Sequence, residues 1–224
     1  MRITFISDTH NRHDDITRML SGGDVIVHAG DMTGRGTRAE ITQFLDWYSS
    51  LEYTHKIFIA GNHDWGFQDE PKYYKELLEK EYPNLIYLED SSVVIDGVKF
   101  YGSPWQPEFY NWAFNLPRNG WELEEKWKSI PLNTDVLITH GPPYGQCDSI
   151  NLNSESLGCE LLMESVKVVK PYIHVFGHIH GGHGMRYNGT TNFINAAILS
   201  ENYSIGHGPY EFDWNVETGD LNVF

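Results

Sequence analysis

The chain has 224 residues, 40% of them hydrophobic and 14% aromatic, with a formal net charge of −15. That length buries a sizeable core within one domain, here taken as residues 1–224, and no apolar stretch approaches the ~20 residues that span a bilayer. So acidic a surface repels extended polyanions, which argues against long nucleic acid but not against a small anion drawn in by bound cations.

Met1-Arg2 leads straight into Ile3-Thr4-Phe5-Ile6, which leaves no room for a signal peptide. Cys147 and Cys159 lack CxxC spacing and read as reduced thiols, so a cytoplasmic protein with no membrane partner is expected. From the first residues onward, short β-rich runs alternate with amphipathic ones. Arg2–Ile6 reads as a strand, 14–20 as a short helix, 25–29 as a second strand and Arg38–Ser50 as a helix with Ile41, Phe44, Leu45 and Tyr48 on one face. A third strand over 56–60 and a helix beginning at Pro71 complete a βαβαβ pattern, which predicts a parallel sheet. Next, Asp96-Gly97 marks a hairpin between 92–95 and 98–101. Residues 103–116, aromatic and without clear period, read as a long loop. Helices over 120–128 and 158–169 flank a buried strand at Val136–Thr139. Another strand at 172–176 precedes a second hairpin around Asn188-Gly189, and late strands fall near Tyr210–Trp214 and 221–224. Two stacked sheets with helices outside would accommodate all of these.

Nearly every strand is followed by polar residues of one kind: Asp8-Thr9-His10, Gly30-Asp31, Gly61-Asn62-His63-Asp64, Thr139-His140-Gly141 and Gly177-His178-Ile179-His180. Open α/β sheets gather ligands in the crevice beyond their strand ends, so these islands are placed to meet. Carboxylates mixed with imidazoles suit first-row divalent cations. Asp8 and His10, one residue apart, are able to turn to the same side, and Asp31 has two oxygens with which to bridge two cations. The Asn62 oxygen ligates without adding charge. His63 is free to donate a proton, with Asp64 as the partner that orients it. His140 follows a buried strand, and the His178-x-His180 pair sets two rings on one side of an extended segment.

This ordered set resembles the calcineurin-like metallophosphoesterase superfamily, whose pattern runs Asp-x-His, Gly-Asp, Gly-Asn-His-Asp/Glu, a lone His, then Gly-His-x-His. The resemblance implies a four-layer αββα sandwich of two mixed sheets flanked by helices. It also implies a dinuclear centre in which one cation takes Asp8, His10, Asp31 and His180, and the other Asp31, Asn62, His140 and His178. Manganese leads the expected metals, with iron, zinc, cobalt and nickel behind it. Ser7-Asp8-Thr9-His10, Val27-His28-Ala29-Gly30-Asp31, Ile59-Ala60-Gly61-Asn62-His63 and His140-Gly141-Pro142-Pro143 are similar to a narrower branch. That branch is the small metallophosphoesterase-domain-containing proteins of cyclic-nucleotide-phosphodiesterase type. Some animal members carry Gly where this chain has His178, so fuller metal binding is expected here.

The expected activity is therefore hydrolysis of small phosphodiesters such as cyclic nucleotides, with a metal-bridging hydroxide as nucleophile and His63 as general acid. Three rival readings stand beside it: a phosphomonoesterase, including a protein phosphatase; a nuclease, disfavoured by charge; and a non-catalytic metal-binding scaffold. Arg35 sits in a stretch similar to the protein phosphatase signature except for Gly34 and is a candidate phosphate clamp. Asn11 and Arg12 either touch substrate or cap the next helix. Trp105, Tyr110 and Trp112 either wall a nucleobase pocket or pack on the core. His28 and His174 read as satisfied core histidines, with support of the ligands as a second role.

Overall fold

Apolar runs buried on both faces build the interior of this molecule, because each lies between a second sheet and a helical layer. The computed structural model describes residues 1–151 and 154–223. In chain order, β1 (Arg2–Ile6), α1 (His13–Ile16), β2 (Gly23–His28), α2 (Arg38–Ser50), β3 (Tyr53–Phe58), α3 (Trp65–Asp69), α4 (Pro71–Glu81) and β4 (Leu85–Tyr87) make up the first part. Then follow β5 (Ser91–Ile95), β6 (Val98–Ser103), the two-residue β7 (Gln106–Pro107) and β8 (Asn115–Leu116), α5 (Trp121–Lys128), β9 (Val136–Thr139) and α6 (Glu160–Val169). The last elements are β10 (Ile173–Phe176), β11 (Gly184–Tyr187), β12 (Asn192–Asn195), β13 (Tyr210–Trp214) and β14 (Leu221–Val223).

The first sheet has the order β14-β13-β1-β2-β3-β4, and the second β11-β12-β10-β9-β6-β5. Strands β1 to β4 are mutually parallel, as the βαβαβ pattern predicts, while β13 pairs antiparallel with β1. Both sheets are thus mixed. Ile3, Phe5, Val25 and Val27 of the first sheet meet Phe100, Ile138, Val175 and Ile194 of the second in a shared core. On the outer face of the first sheet, Ile26 and Phe58 pack with Phe44, Tyr48 and Tyr74. Across the molecule, Leu137, Phe176 and Phe193 pack with Leu123, Trp127, Leu162 and Val166. Three cores separate four layers, αββα.

Local chemistry fixes the helices. Thr37 and Glu40 close a capping box at the start of α2, and Pro71 opens α4. In α5 Glu122 and Glu124 lie in the first turn and Lys126 and Lys128 in the last, which complements the helix dipole. Asp96 and Gly97 take φ of 49° and 83°, the left-handed pair that a two-residue hairpin needs between Ile95 and Val98.

Some expectations change. The helix predicted over 14–20 is one α turn followed by a 3₁₀ turn at Thr17–Met19. Tyr187 pairs with Asn192, so the second hairpin closes through four residues, and the Asn188 side chain accepts from Thr190 N and Thr191 N. Elements α3 and β4 were too short to show a period, and the predicted loop contains β7 and β8. Phe224, included in the last predicted strand, lies outside the described residues.

Candidate metal centre

Left-handed backbone marks the ends of the strands. Asp8, His10, Asn11, Asp31 and His178 have φ of 54°, 38°, 64°, 54° and 67°. Non-glycine residues rarely adopt this conformation, and it clusters where surrounding structure forces a side chain into a functional direction. After β1 and β2 these turns send Asp8, His10 and Asp31 toward the rim of the first sheet, and Asn62 joins them from the turn after β3. From the second sheet, His140 follows β9, while His178 and His180 follow β10.

All seven predicted ligands converge there. Asp31 Oδ2 lies 3.6 Å from His10 Nε2 and 3.3 Å from His140 Nε2. Asp8 Oδ1 is 3.4 Å from His180 Nε2. Asn62 Oδ1 stands 2.9 Å from His140 Nε2 and 2.8 Å from His178 Nδ1. Three overlapping sets hold donor atoms close enough for one ion each: Asp8, His10 and His180; His10, Asp31 and His63; Asp31, His140 and His178. The His178-x-His180 segment is not extended as expected. The left-handed turn at His178 and the 3₁₀ turn at His180–Gly182 send the two rings to different ends of the cluster.

The backbone orients the histidines. Nδ1 of His10, His140 and His180 faces the carbonyl oxygens of Thr33, Ala29 and Ser200 at 3.0, 2.9 and 3.1 Å. A carbonyl only accepts, so each Nδ1 carries the proton and each Nε2 turns inward, as metal-binding imidazoles require. Glycines permit the close approach. A Cβ at Gly177 would lie 1.9 Å from Asp8 Oδ2, and one at Gly61 2.3 Å from Asp31 Oδ1.

The donor set fits divalent cations. His10 Nε2 and His180 Nε2 face each other at 3.4 Å, an arrangement that favours a positive charge between them. Burial opposes the charged form of His140, yet Asp31 and Asp8 outweigh it and hold that pKa up to about 9. His180 is likewise opposed by burial and held up to about 9 by Asp8. Burial, with His140 beside it, pushes His178 down to about 4. The carboxylates thus outweigh burial at His140 and His180, while burial holds His10 as well as His178 below the ordinary histidine range.

His63 is differently placed. Its Nδ1 donates to Gly34 O at 2.8 Å, its backbone N–H donates to Asp31 Oδ1 at 2.8 Å, and Nε2 stands 4.0 Å from Asp31 Oδ2. Asp64 does not orient this ring, contrary to expectation. Its buried carboxylate accepts instead from Met32 N, Thr33 N, the Thr33 hydroxyl and Gly61 N, stitching the turn after β2 to the turn after β3. Burial, with Asp31 close by, pushes its pKa up to about 6.

Other candidates resolve as follows. Arg35 is exposed, makes no side-chain hydrogen bond or ion pair among the described residues, and is absent from the cleft lining. Arg12 pairs with Asp15 and donates to Tyr203 O, and Asn11 donates to Glu40; neither side chain caps α1. Trp105 donates to Asp90 away from the cleft, and Tyr110 is exposed against Phe109. Trp112 stacks on His63, with ring centroids 4.0 Å apart. His28 accepts from Gly30 N and bonds Thr9 Oγ1, while His174 bonds Thr139 Oγ1, so both support ligand-bearing turns. Sequence reasoning missed Tyr203, whose ring meets His10 and His180 edge-on at 5.0 and 5.2 Å. Nothing in its sequence surroundings marks it.

Beside the cluster lies a cleft of about 270 Å³, lined by His178 and His180 together with Phe109, Ile150, Leu157 and Tyr203. A double-sheet sandwich with a carboxylate and imidazole cluster at its strand ends defines a metal-dependent hydrolase. The calcineurin-like phosphoesterase family model matches residues 1–182, and the chain belongs to that family. Its activity is thus of the phosphoester hydrolase class. The human metallophosphoesterase domain-containing protein 1 is 43% identical over 95% of this chain and 70% of its own length. Among solved structures, TT1561 of Thermus thermophilus superposes with a TM-score of 0.70 at 13% identity, covering 100% of this chain and 97% of that one. An archaeal phosphodiesterase gives 0.52 at 17% identity, covering 100% and 99%. At such identities these two structures speak for the fold alone. No helix among the described residues is long and apolar enough to cross a membrane.

Proposed function

We propose that the chain is a dinuclear-metal phosphodiesterase for small esters such as cyclic nucleotides, working with manganese and with His63 as general acid. In this reading Asp8, His10, Asp31 and His180 hold one cation, and Asp31, Asn62, His140 and His178 the other. Cations so held supply Lewis acidity, making water nucleophilic near neutral pH and offsetting the charge of the phosphate. The protein's own part is orientation and proton delivery. Gly34 O fixes the Nδ1 proton of His63, which leaves Nε2 directed toward the cluster. From there it protonates the leaving oxygen as the P–O bond breaks, a contribution of roughly 10²–10⁴-fold in comparable sites. Cys147 and Cys159 are both free, which supports a reducing, cytoplasmic setting.

One observation favours a diester over a monoester. The cleft is lined by Glu108 and Glu201, and its one guanidinium among the described residues, Arg118, is already engaged by Leu157 O, Gly158 O and Glu160. A doubly charged monoester meets carboxylates with no free guanidinium to compensate them. A singly charged diester suffers less, and its second substituent finds the apolar wall of Phe109, Ile150 and Leu157. The test compares bis-p-nitrophenyl phosphate with p-nitrophenyl phosphate on manganese-reconstituted protein. A higher kcat/KM for the diester is expected; preference for the monoester would overturn the assignment.

A further inference from the structure

We infer that Trp112 is a positioning residue for His63: its indole face fixes the plane of the imidazole so that Nε2 stays aimed at the leaving oxygen. The inference rests on the reading of His63 as the general acid. Its starting point is that, among the described residues, His63 has one side-chain hydrogen bond, from Nδ1 to Gly34 O, while Nε2 stands 4.0 Å from Asp31 Oδ2. One hydrogen bond leaves a ring free to rock about that axis, and rocking displaces Nε2 on the far side. Proton transfer tolerates little displacement, since an error of about 1 Å in a reacting group costs on the order of 10²-fold in rate.

Two rings supply the missing constraint. Trp112 stacks on one face of His63 at 4.0 Å and 26°, and His10 meets it edge-on at 4.6 Å and 81°. The backbone just after Trp112 is tied to the turn that carries His63 and to α3. Ala113 N donates to Asn62 O at 3.1 Å, and Phe114 N donates to the Gln68 side chain. Ala113 and Phe114 are buried in the outer core of the first sheet. These contacts couple the backbone beside Trp112 to the His63 turn. In the reaction, water adds a hydroxyl group to phosphorus and releases its other proton to solvent, the electron pair of the broken P–O bond goes to the leaving oxygen, and that oxygen takes the Nε2 proton, which solvent then restores. Leaving groups that are stable anions have little need of the last event.

The test uses two phosphodiesters on manganese-loaded protein, one with a nitrophenolate leaving group and one with an alkoxide. For Trp112→Leu, kcat on the alkyl ester should fall about 10- to 100-fold, with KM little changed and a far smaller loss on the nitrophenyl ester. Trp112→Phe, which keeps a flat ring, should recover most of the loss. In metal-free protein, ring-current-shifted His63 proton resonances should move in Trp112→Leu. The double variant His63→Ala, Trp112→Leu should be no slower on the alkyl ester than His63→Ala alone. Equal losses on the two esters in the Trp112 variants, or additive losses in the double variant, overturn the role of Trp112. If His63→Ala itself loses equally on both esters, the reading of His63 as the acid fails instead.

Discussion

His63 and Asp64 adjoin in sequence yet do separate jobs. The Asp64 carboxylate takes four donors from two turns, so its loss orphans buried N–H groups at about 1–3 kcal/mol each. Asp64→Ala should therefore lower stability by roughly 3 kcal/mol or more, read as a drop in the urea midpoint of the metal-free protein. His63→Ala should leave that midpoint nearly unchanged. If the two variants lose stability alike, Asp64 has no such stitching role. The sequence displayed the ligand types because side chains name their own chemistry: Asp8, His10, Asp31, Asn62, His140, His178 and His180 were all visible. The groups that orient them were not. Carbonyls of Ala29, Thr33, Gly34 and Ser200 belong to every kind of residue, and only the fold selects which of them a histidine meets.

Strands were the most legible elements, since runs such as Val136–Ile138 are apolar throughout and end abruptly in polar residues. The short α1 and α3 were not, because one turn carries no period. Two of those strands also carry a titration. Burial pushes His28 in β2 and His174 in β10 down to about 3. When unfolded, each returns to about 6.5. Between these values the unfolded chain binds more protons than the folded one, so stability is complete above about pH 6.5 and declines as pH falls toward 3. Urea midpoints measured from pH 7 to pH 4 should decrease, and His174→Gln should flatten the slope. An unchanged slope in that variant would show that His174 does not contribute.

At the scale of the whole molecule, α/β class and parallel pairing followed from the order of runs. Two stacked sheets were expected from the runs themselves, but which strand joins which sheet was not, because apolar runs do not reveal their partners. Net charge acts at this scale too. With −15 on the surface, an anionic ester is repelled on approach, and salt shortens the reach of that repulsion from about 30 Å at 0.01 M to about 8 Å at 0.15 M. KM for a phosphodiester should therefore fall as KCl is raised across that interval, at constant metal. A rise would mean that local cationic attraction dominates. The path of the chain through the centre has one more consequence. Asp8, His10, Asp31 and Asn62 come from the first sheet and the other three ligands from the second, and Ser7 bridges to Ala197 where the sheets adjoin. A nascent polypeptide still missing its later third thus lacks His178 and His180, two of the seven candidate ligands. The candidate cage is therefore complete only once both β-layers have docked.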